Sequence, residues 1–90
     1  MNKYELFTYD LWGNEEDGFE VNDVYRYDKF VIEENTSDVT LIEALRDVLP
    51  GIFHNIPWYD IMIEGEDDGC LYFSHNGVPL CELRYVEKEV

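Results

Sequence analysis

The sequence has few basic residues. Six Lys and Arg stand against 21 Asp and Glu in a chain of 90 residues, which gives a formal net charge of −15 at pH 7. Such a charge repels nucleic acid and anionic membranes, so we expect neither to be a direct partner. It also destabilises the compact chain by self-repulsion, which predicts that added salt stabilises the fold. If the protein has a partner, the charge favours a basic protein surface.

Long apolar runs are missing as well, and cysteine is scarce. No stretch approaches the roughly 18 apolar residues of a membrane-spanning helix. The N-terminal segment MNKYELF has neither the apolar core nor the cleavage site of a signal peptide. Cys70 and Cys81 are too few for a disulfide framework, so we expect free thiols in a reducing cytoplasm.

The apolar content is nevertheless sufficient for a folded core. Hydrophobic residues make up 46% of the chain and aromatic residues 16%, whereas disordered chains combine high charge with low hydrophobicity. A chain of this length supports one domain but not two. The sequence therefore predicts a single small acidic domain over residues 1–90.

Strand-like segments fill the first third of the chain. Residues 3–12 carry aromatic and branched side chains on both faces, which predicts a central strand covered on both sides. The turn-rich loop GNEEDG follows. Residues 19–33 begin with an alternation that fails near Asp23. This pattern predicts a broken strand, or two short strands around a turn near Tyr27 and Asp28.

Three further segments predict an antiparallel meander at the C-terminal end of the chain. They are residues 58–64, 70–74 and 78–86. Between the last two, Asn76-Gly77 is the strongest short signal for a hairpin turn. A two-residue turn there places Cys81 opposite Tyr72, whereas a four-residue loop places it opposite Cys70. Both alternatives put the two thiols on one face of the sheet.

One helix is predicted between the two groups of strands. Thr36, Ser37 and Asp38 offer N-cap oxygens, and Pro50-Gly51 ends the helix. The apolar side chains between these signals recur at helical spacing at Val39, Ile42, Leu45 and Leu49. The predicted fold is therefore α+β in the order β-β-α-β-β-β. One amphipathic helix packs on one face of a mainly antiparallel sheet of four to five strands.

Two acidic loops are the main candidates for a binding site. One lies between Gly13 and Gly18, and the other lies between Ile63 and Gly69. A tryptophan precedes the first loop. The candidate partner-binding residues are therefore Trp12, Glu15, Glu16, Asp17, Glu64, Glu66, Asp67 and Asp68.

The same carboxylates raise the question of a metal. Glu64, Glu66 and Asp68 match positions 1, 3 and 5 of an EF-hand loop, but position 12 is His75 and predicted strands flank the loop. The two cysteines, together with His54 and His75, are four potential zinc ligands, yet no CxxC or HxxxH spacing is present. We therefore predict neither a metal site nor a cofactor.

Catalytic signatures are missing too. The chain contains no P-loop, nucleophile elbow or dinucleotide fingerprint, and a domain this small with one helix leaves little room for an enclosed cleft. The thiols are interpreted as small buried hydrophobes rather than as nucleophiles. We predict that the protein is not an enzyme.

Two motifs resemble those of a known group of proteins. Tyr9 to Val24 reads YDLWGNEEDGFEVNDV, and Gly77 to Arg84 reads GVPLCELR. The pair resembles the YD-[VL]-WGNxxDGxxVND block and the GxPxCELR ending of small uncharacterised acidic proteins of bacteria, phages and other mobile elements. The resemblance implies a phage or mobile-element type of protein, which would act in the cytoplasm of a host cell. It implies no catalytic role.

Trp12 admits two interpretations. As a structural residue it caps the core at the end of the first strand, which predicts that at least half of the side chain is buried. As a functional residue it stands beside a carboxylate-rich loop and is a typical anchor for a protein partner, because Trp is enriched at binding hot spots.

Three functional hypotheses remain open at this stage. The first is an acidic interaction module that occupies a basic, nucleic-acid-binding surface of a host protein as a DNA mimic or inhibitor. The second is a small housekeeping or structural domain whose acidity serves solubility. The third is a metal-dependent or hydrolytic enzyme. Acids concentrated on one continuous face would favour the first hypothesis over the second.

Overall fold

The computed structural model describes residues 1–88 and consists of one sheet with helices on one of its faces. The elements are β1 (Asn2–Asn14), β2 (Gly18–Ile32), α1 (Asp38–Val48), α2 (Pro50–Phe53), the 3₁₀ turn Trp58–Asp60, β3 (Ile61–Gly65), β4 (Leu71–His75) and β5 (Val78–Lys88). The strands are antiparallel and stand in the order β2-β1-β5-β4-β3. The predicted α+β fold and its β-β-α-β-β-β order are confirmed. No helix of residues 1–88 has the length and apolar character that crossing a membrane requires.

Helix α1 begins and ends at the residues that the sequence indicates. The side chain of Ser37 accepts a hydrogen bond from the backbone N–H of Thr40 at 3.2 Å and caps the first turn. Pro50 lacks an N–H to continue the helix and instead starts α2. The buried stripe differs from the predicted one, because Leu41 belongs to it and Val39 is 38% exposed.

The core lies between the helices and one face of the sheet. Every strand contributes to it, and the largest fully buried side chains are Phe53, Phe73, Leu6, Ile42, Leu45, Leu83 and Cys81. On β1, Tyr4 and Leu6 are buried against this core, whereas Phe7 and Tyr9, on the opposite face, are only partly buried. The prediction that β1 is covered on both sides is therefore wrong. The described helices cover one face and leave the other, here called the open face, without a second layer.

Strand β2 is continuous, which contradicts the predicted break. Its pairing with β1 shifts register twice, and these shifts leave Asn22 and Tyr27 as extra residues opposite β1. A β-bulge interrupts alternation and bends a strand without ending it. The lost alternation near Asp23 and the predicted turn near Tyr27 therefore mark two bulges in a single strand.

The last hairpin has the predicted two-residue turn. His75 pairs with Val78, and Asn76 and Gly77 have φ values of 50° and 80°, as the tight turn between twisted strands requires. A register shift then leaves Leu80 as an extra residue, so Cys81 pairs with Phe73 instead of Tyr72 or Cys70.

Candidate functional site

The first acidic loop lies at the tip of a hairpin that extends beyond the third strand. β5 pairs with β1 only from Asn2 to Thr8, whereas β1 and β2 stay paired as far as Asn14 and Gly18. Residues 9–24 therefore contain a two-stranded extension, here called the hairpin arm. Its tip carries Glu15, Glu16 and Asp17, all of them exposed.

Local polar contacts hold the turn of the hairpin arm. The side-chain oxygen of Asn14 accepts a hydrogen bond from the backbone N–H of Asp17 at 2.8 Å. The Asn14 amide also donates to the Asp17 carboxylate at 3.3 Å. Gly13 has a φ of 117°, and a Cβ atom there would lie 2.1 Å from the carbonyl oxygen of Gly18. Asp17 is thus a structural residue of the turn, whereas Glu15 and Glu16 make no such contact in the described structure.

Trp12 is 71% exposed, so the prediction that at least half of it is buried is wrong. The physical reason is its place on the hairpin arm, four residues beyond the last pairing of β1 with β5. The side chain lines a shallow hollow of about 350 Å³ together with Asp17 and Glu20. A large apolar side chain left in water beside carboxylates suits a contact with a partner.

The second acidic loop joins β3 to β4 and is also stabilised by one of its own acids. Asp68 accepts a hydrogen bond from the backbone N–H of Cys70 at 3.0 Å, and this bond holds the pKa of Asp68 below its usual value. Backbone bonds between Glu66 and both Gly69 and Cys70 close the loop. Asp67 is exposed and takes part in none of these bonds.

The structure does not bring the two loops together. Leu6 pairs with Leu83, which pairs with Leu71 at the start of β4, so the β3–β4 loop lies beside the beginning of β1. The tip of the hairpin arm follows the end of β1. The eight candidate residues therefore occupy opposite ends of the strands and do not form one cluster.

A groove on the open face connects residues from all parts of the sheet. This sheet groove has a volume of about 500 Å³. Its apolar and aromatic lining includes Tyr9, Val21, Val24, Tyr72 and Pro79. Among the candidates from sequence, only Glu64 and Glu66 line it.

Glu82 lies in the floor of the sheet groove and is the one buried charged residue of the described chain. It is 5% exposed. The Nε atom of Arg84 donates to its carboxylate at 2.7 Å, and the guanidinium of Arg84 lies 4.0 Å from the centre of the Phe7 ring. The open face therefore already holds one guanidinium between a carboxylate and an aromatic ring.

Burial and, to a smaller extent, nearby negative charge raise the pKa values of two tyrosines in the sheet groove. Burial raises the pKa of Tyr9, and the charge of Glu82 together with a hydrogen bond to it raises that pKa further. Burial also raises the pKa of Tyr72, with further contributions from the charges of Glu66 and Glu82. Both phenols are therefore protonated hydrogen-bond donors at neutral pH.

Sequence reasoning missed Tyr9, Tyr72 and Glu82. The available signal was Glu82 itself, a single acid between the apolar residues Leu80, Cys81 and Leu83 of a predicted strand. A charged side chain in that position is normally buried only if it has a partner. The side chains opposite Glu82 in the sheet are therefore the candidates for that partner. The partners belong to β1 and to a neighbouring residue of β5, and the pairing of β1 with β5 is not readable from local patterns.

Most of the basic side chains form ion pairs with acids of the same chain. Five of the six form ion pairs, in the combinations Lys3–Glu87, Arg26–Glu5, Arg46–Glu43, Arg84–Glu82 and Lys88–Glu34. None of these pairs involves an acid of the two loops. The loop carboxylates therefore face solvent without a neutralising ion pair within residues 1–88.

The two thiols lie in different parts of the described structure. Cys81 lies in the core, where burial raises the pKa of its thiol to about 12, and Cys70 lies apart from it in the β3–β4 loop. The two thiols therefore do not share an environment. Within residues 1–88, no three His, Cys, Asp or Glu side chains converge in a way that could hold a metal ion.

Comparison with known proteins assigns the chain to no family. No family model, no curated protein and no solved structure matches it.

Proposed function

We propose that the protein is an acidic protein–protein interaction module that occupies a basic surface of another protein. The observation that supports this proposal is the distribution of ion pairs. Five of the six basic side chains form ion pairs with acids outside the two loops, and no ion pair within residues 1–88 involves a loop carboxylate. An unneutralised acidic surface accelerates encounter with a basic partner and raises the selectivity for it.

In its more specific form, the proposal is an inhibitor of phage or mobile-element type that covers a nucleic-acid-binding surface of a host protein. Surfaces of that kind are basic because they bind phosphates. The molecule is elongated, at 45 × 25 × 23 Å, so a single copy could lie along such a surface.

A small structural domain whose acidity serves solubility is the alternative. The separation of the two loops favours it, because a solubilising charge needs no common face. The two functions differ in what the loop acids do. In an interaction module they determine binding, whereas in a solubilised domain their removal changes only the colloidal behaviour.

The test is capture of partners from a bacterial lysate at low and at high salt. A loop-neutral variant combines Glu15→Gln, Glu16→Gln and Asp67→Asn, and leaves Asp17 and Asp68 to hold the turns. A matched control removes the same charge from exposed positions elsewhere.

The control variant combines Glu33→Gln, Asp47→Asn and Asp60→Asn, all at exposed positions outside the hairpin arm and the β3–β4 loop. We expect the parent protein and the control to retain the same basic partner at low salt, and the loop-neutral variant to lose it. Retention of that partner by the loop-neutral variant would contradict the proposal, as would the absence of any partner that salt releases.

A further inference from the structure

The sheet groove has the volume of a small binding site. Its volume of about 500 Å³ lies within the range of sites that hold one small ligand or a few side chains. It crosses the open face from β2 to the start of the β3–β4 loop, and the described helices lie on the other face. An occupant could therefore lie across the strands without displacing any part of the core.

The charge of the sheet groove has one sign. Glu64, Glu66 and Glu82 line it, and none of the described lining residues is Lys or Arg. Glu82 is already bound by Arg84, so its charge is compensated locally. Glu64 and Glu66 have no ion pair in the described structure and remain available for a cation.

The aromatic lining adds a second requirement for the occupant. Tyr9 and Tyr72 present ring surface and phenolic donors within the same groove. A guanidinium suits this combination better than an ammonium does, because it is planar, stacks on aromatic rings and donates in pairs to carboxylates. Arg84, held between Phe7 and Glu82, is an example of such binding on the same face.

We infer that the sheet groove binds an arginine-bearing extended segment of the basic partner protein. This inference rests on the proposed function and assigns the contact to a place in the fold. The arginine lies against Tyr9 or Tyr72 and donates to Glu64 and Glu66. A second copy of this chain is a poor occupant, because each copy carries a formal charge of −15.

The test uses a fluorescent hexapeptide of alternating arginine and valine. A lysine–valine peptide tests whether the type of cation matters, and a glutamate–valine peptide is the negative control. Binding is measured by fluorescence anisotropy and located by amide chemical-shift changes on the labelled protein. We expect the arginine peptide to bind more tightly than the lysine peptide. The largest shift changes are expected at Tyr9, Val24, Tyr72 and Ser74.

A matched pair of variants separates the groove from net charge. Glu64→Gln with Glu66→Gln should weaken the arginine peptide roughly tenfold, because two charge-assisted hydrogen bonds are lost. Glu15→Gln with Glu16→Gln removes the same charge from the hairpin arm and should change the affinity less than about twofold, through long-range attraction alone. Tyr72→Leu keeps the charge and should weaken the arginine peptide more than the lysine peptide.

Equal losses in the two glutamate pairs, or shift changes confined to the hairpin arm, would overturn the inference. Capture of a basic partner that the groove variant retains unchanged would also overturn it and leave the proposed function standing. Selective binding of the arginine peptide in the groove, without any salt-released partner from the lysate, would support the groove and contradict the proposed function.

Discussion

Glu82 is a carboxylate that the fold has removed from water on the face without helices. Its neighbour Arg84 donates the hydrogen bond that makes this burial tolerable. Because the residue is paired rather than exposed, it does not belong to the loop charge that we propose for recognition. Glu82 instead forms part of the floor of the sheet groove.

The first prediction concerns the loss of either partner of this pair. Arg84→Met keeps the apolar contact with Phe7 but leaves a buried charge, so we expect a loss of about 2 kcal/mol in the free energy of unfolding. Glu82→Gln keeps the shape and removes the charge, and should cost only about 1 kcal/mol. Urea unfolding at neutral pH measures both values. The reverse order of the two losses would mean that the carboxylate is solvated in the folded state.

The second prediction is a stability change at alkaline pH that arises from Tyr9. The pKa of Tyr9 in the folded protein is raised above its usual value of 10.0, so the protonated phenol contributes stability that is fully present below that pH. The contribution is lost as the pH rises above 10. Tyr9→Phe should therefore lose less stability than the parent between neutral pH and about pH 11.

The control for this measurement is Tyr59→Phe, at an exposed tyrosine of the 3₁₀ turn. Thermal unfolding is followed by circular dichroism at several pH values for all three proteins. Parallel stability curves for the parent and Tyr9→Phe would show that Tyr9 ionises without cost, which would contradict its partly buried environment.

At the scale of elements, the hairpin arm is the part of the fold that depends least on the core. It has two strands where the rest of the sheet has more, and its geometry depends on a turn with left-handed backbone at Gly13. The bulges at Asn22 and Tyr27 let the long β2 bend while it stays paired with β1. The arm thus carries Trp12, Glu15, Glu16 and Asp17 beyond the part of β1 that pairs with β5.

The third prediction tests that turn. Gly13→Ala places a methyl group 2.1 Å from a backbone oxygen at a φ of 117°, so we expect a loss of about 2 kcal/mol in the free energy of unfolding. Gly51→Ala in α2 meets no atom within 4 Å and should be neutral or slightly stabilising. Amide spectra of Gly13→Ala should change most around the hairpin arm. Equal stability of the two variants would contradict the described turn.

Local signals in the sequence predicted most elements but not their environment. The cap at Ser37, the stop at Pro50 and the turn at Asn76-Gly77 are encoded within a few residues, and the structure contains each of them. A bulge and a turn disturb alternation in the same way, so the continuity of β2 was not predictable. The exposure of Trp12 depends on where β5 stops pairing with β1, which is a non-local property.

The candidate site was predictable in part for the same reason. Composition identified the acidic loops, and their carboxylates are exposed as a loop position implies. The sheet groove forms only because β1, β5 and β4 are neighbours in the sheet, and no single segment of the sequence determines that order. The proximity of Tyr9 to Glu82 can therefore be recognised only when the strand order is known.

At the scale of the whole molecule, the excess of negative charge opposes folding at low ionic strength. The fourth prediction is that the melting temperature rises with added potassium chloride, because salt screens repulsion among exposed carboxylates. The loop-neutral variant should melt higher at low salt and gain less from the salt. Chloride is used because sulfate would stabilise by exclusion from the surface. A melting temperature that is independent of salt would show that the charges are too dispersed to interact.

The fifth prediction addresses the central claim, that the loop acids are a recognition element. The association rate of the captured partner is measured by stopped flow over a range of ionic strength, for the parent, the loop-neutral variant and the matched control. We expect the loop-neutral variant alone to associate more slowly and to show a shallower dependence on salt, because steering depends on the charge at the contact. Identical rates and salt slopes for the loop-neutral variant and the control would contradict the claim, and the acidity would then serve solubility.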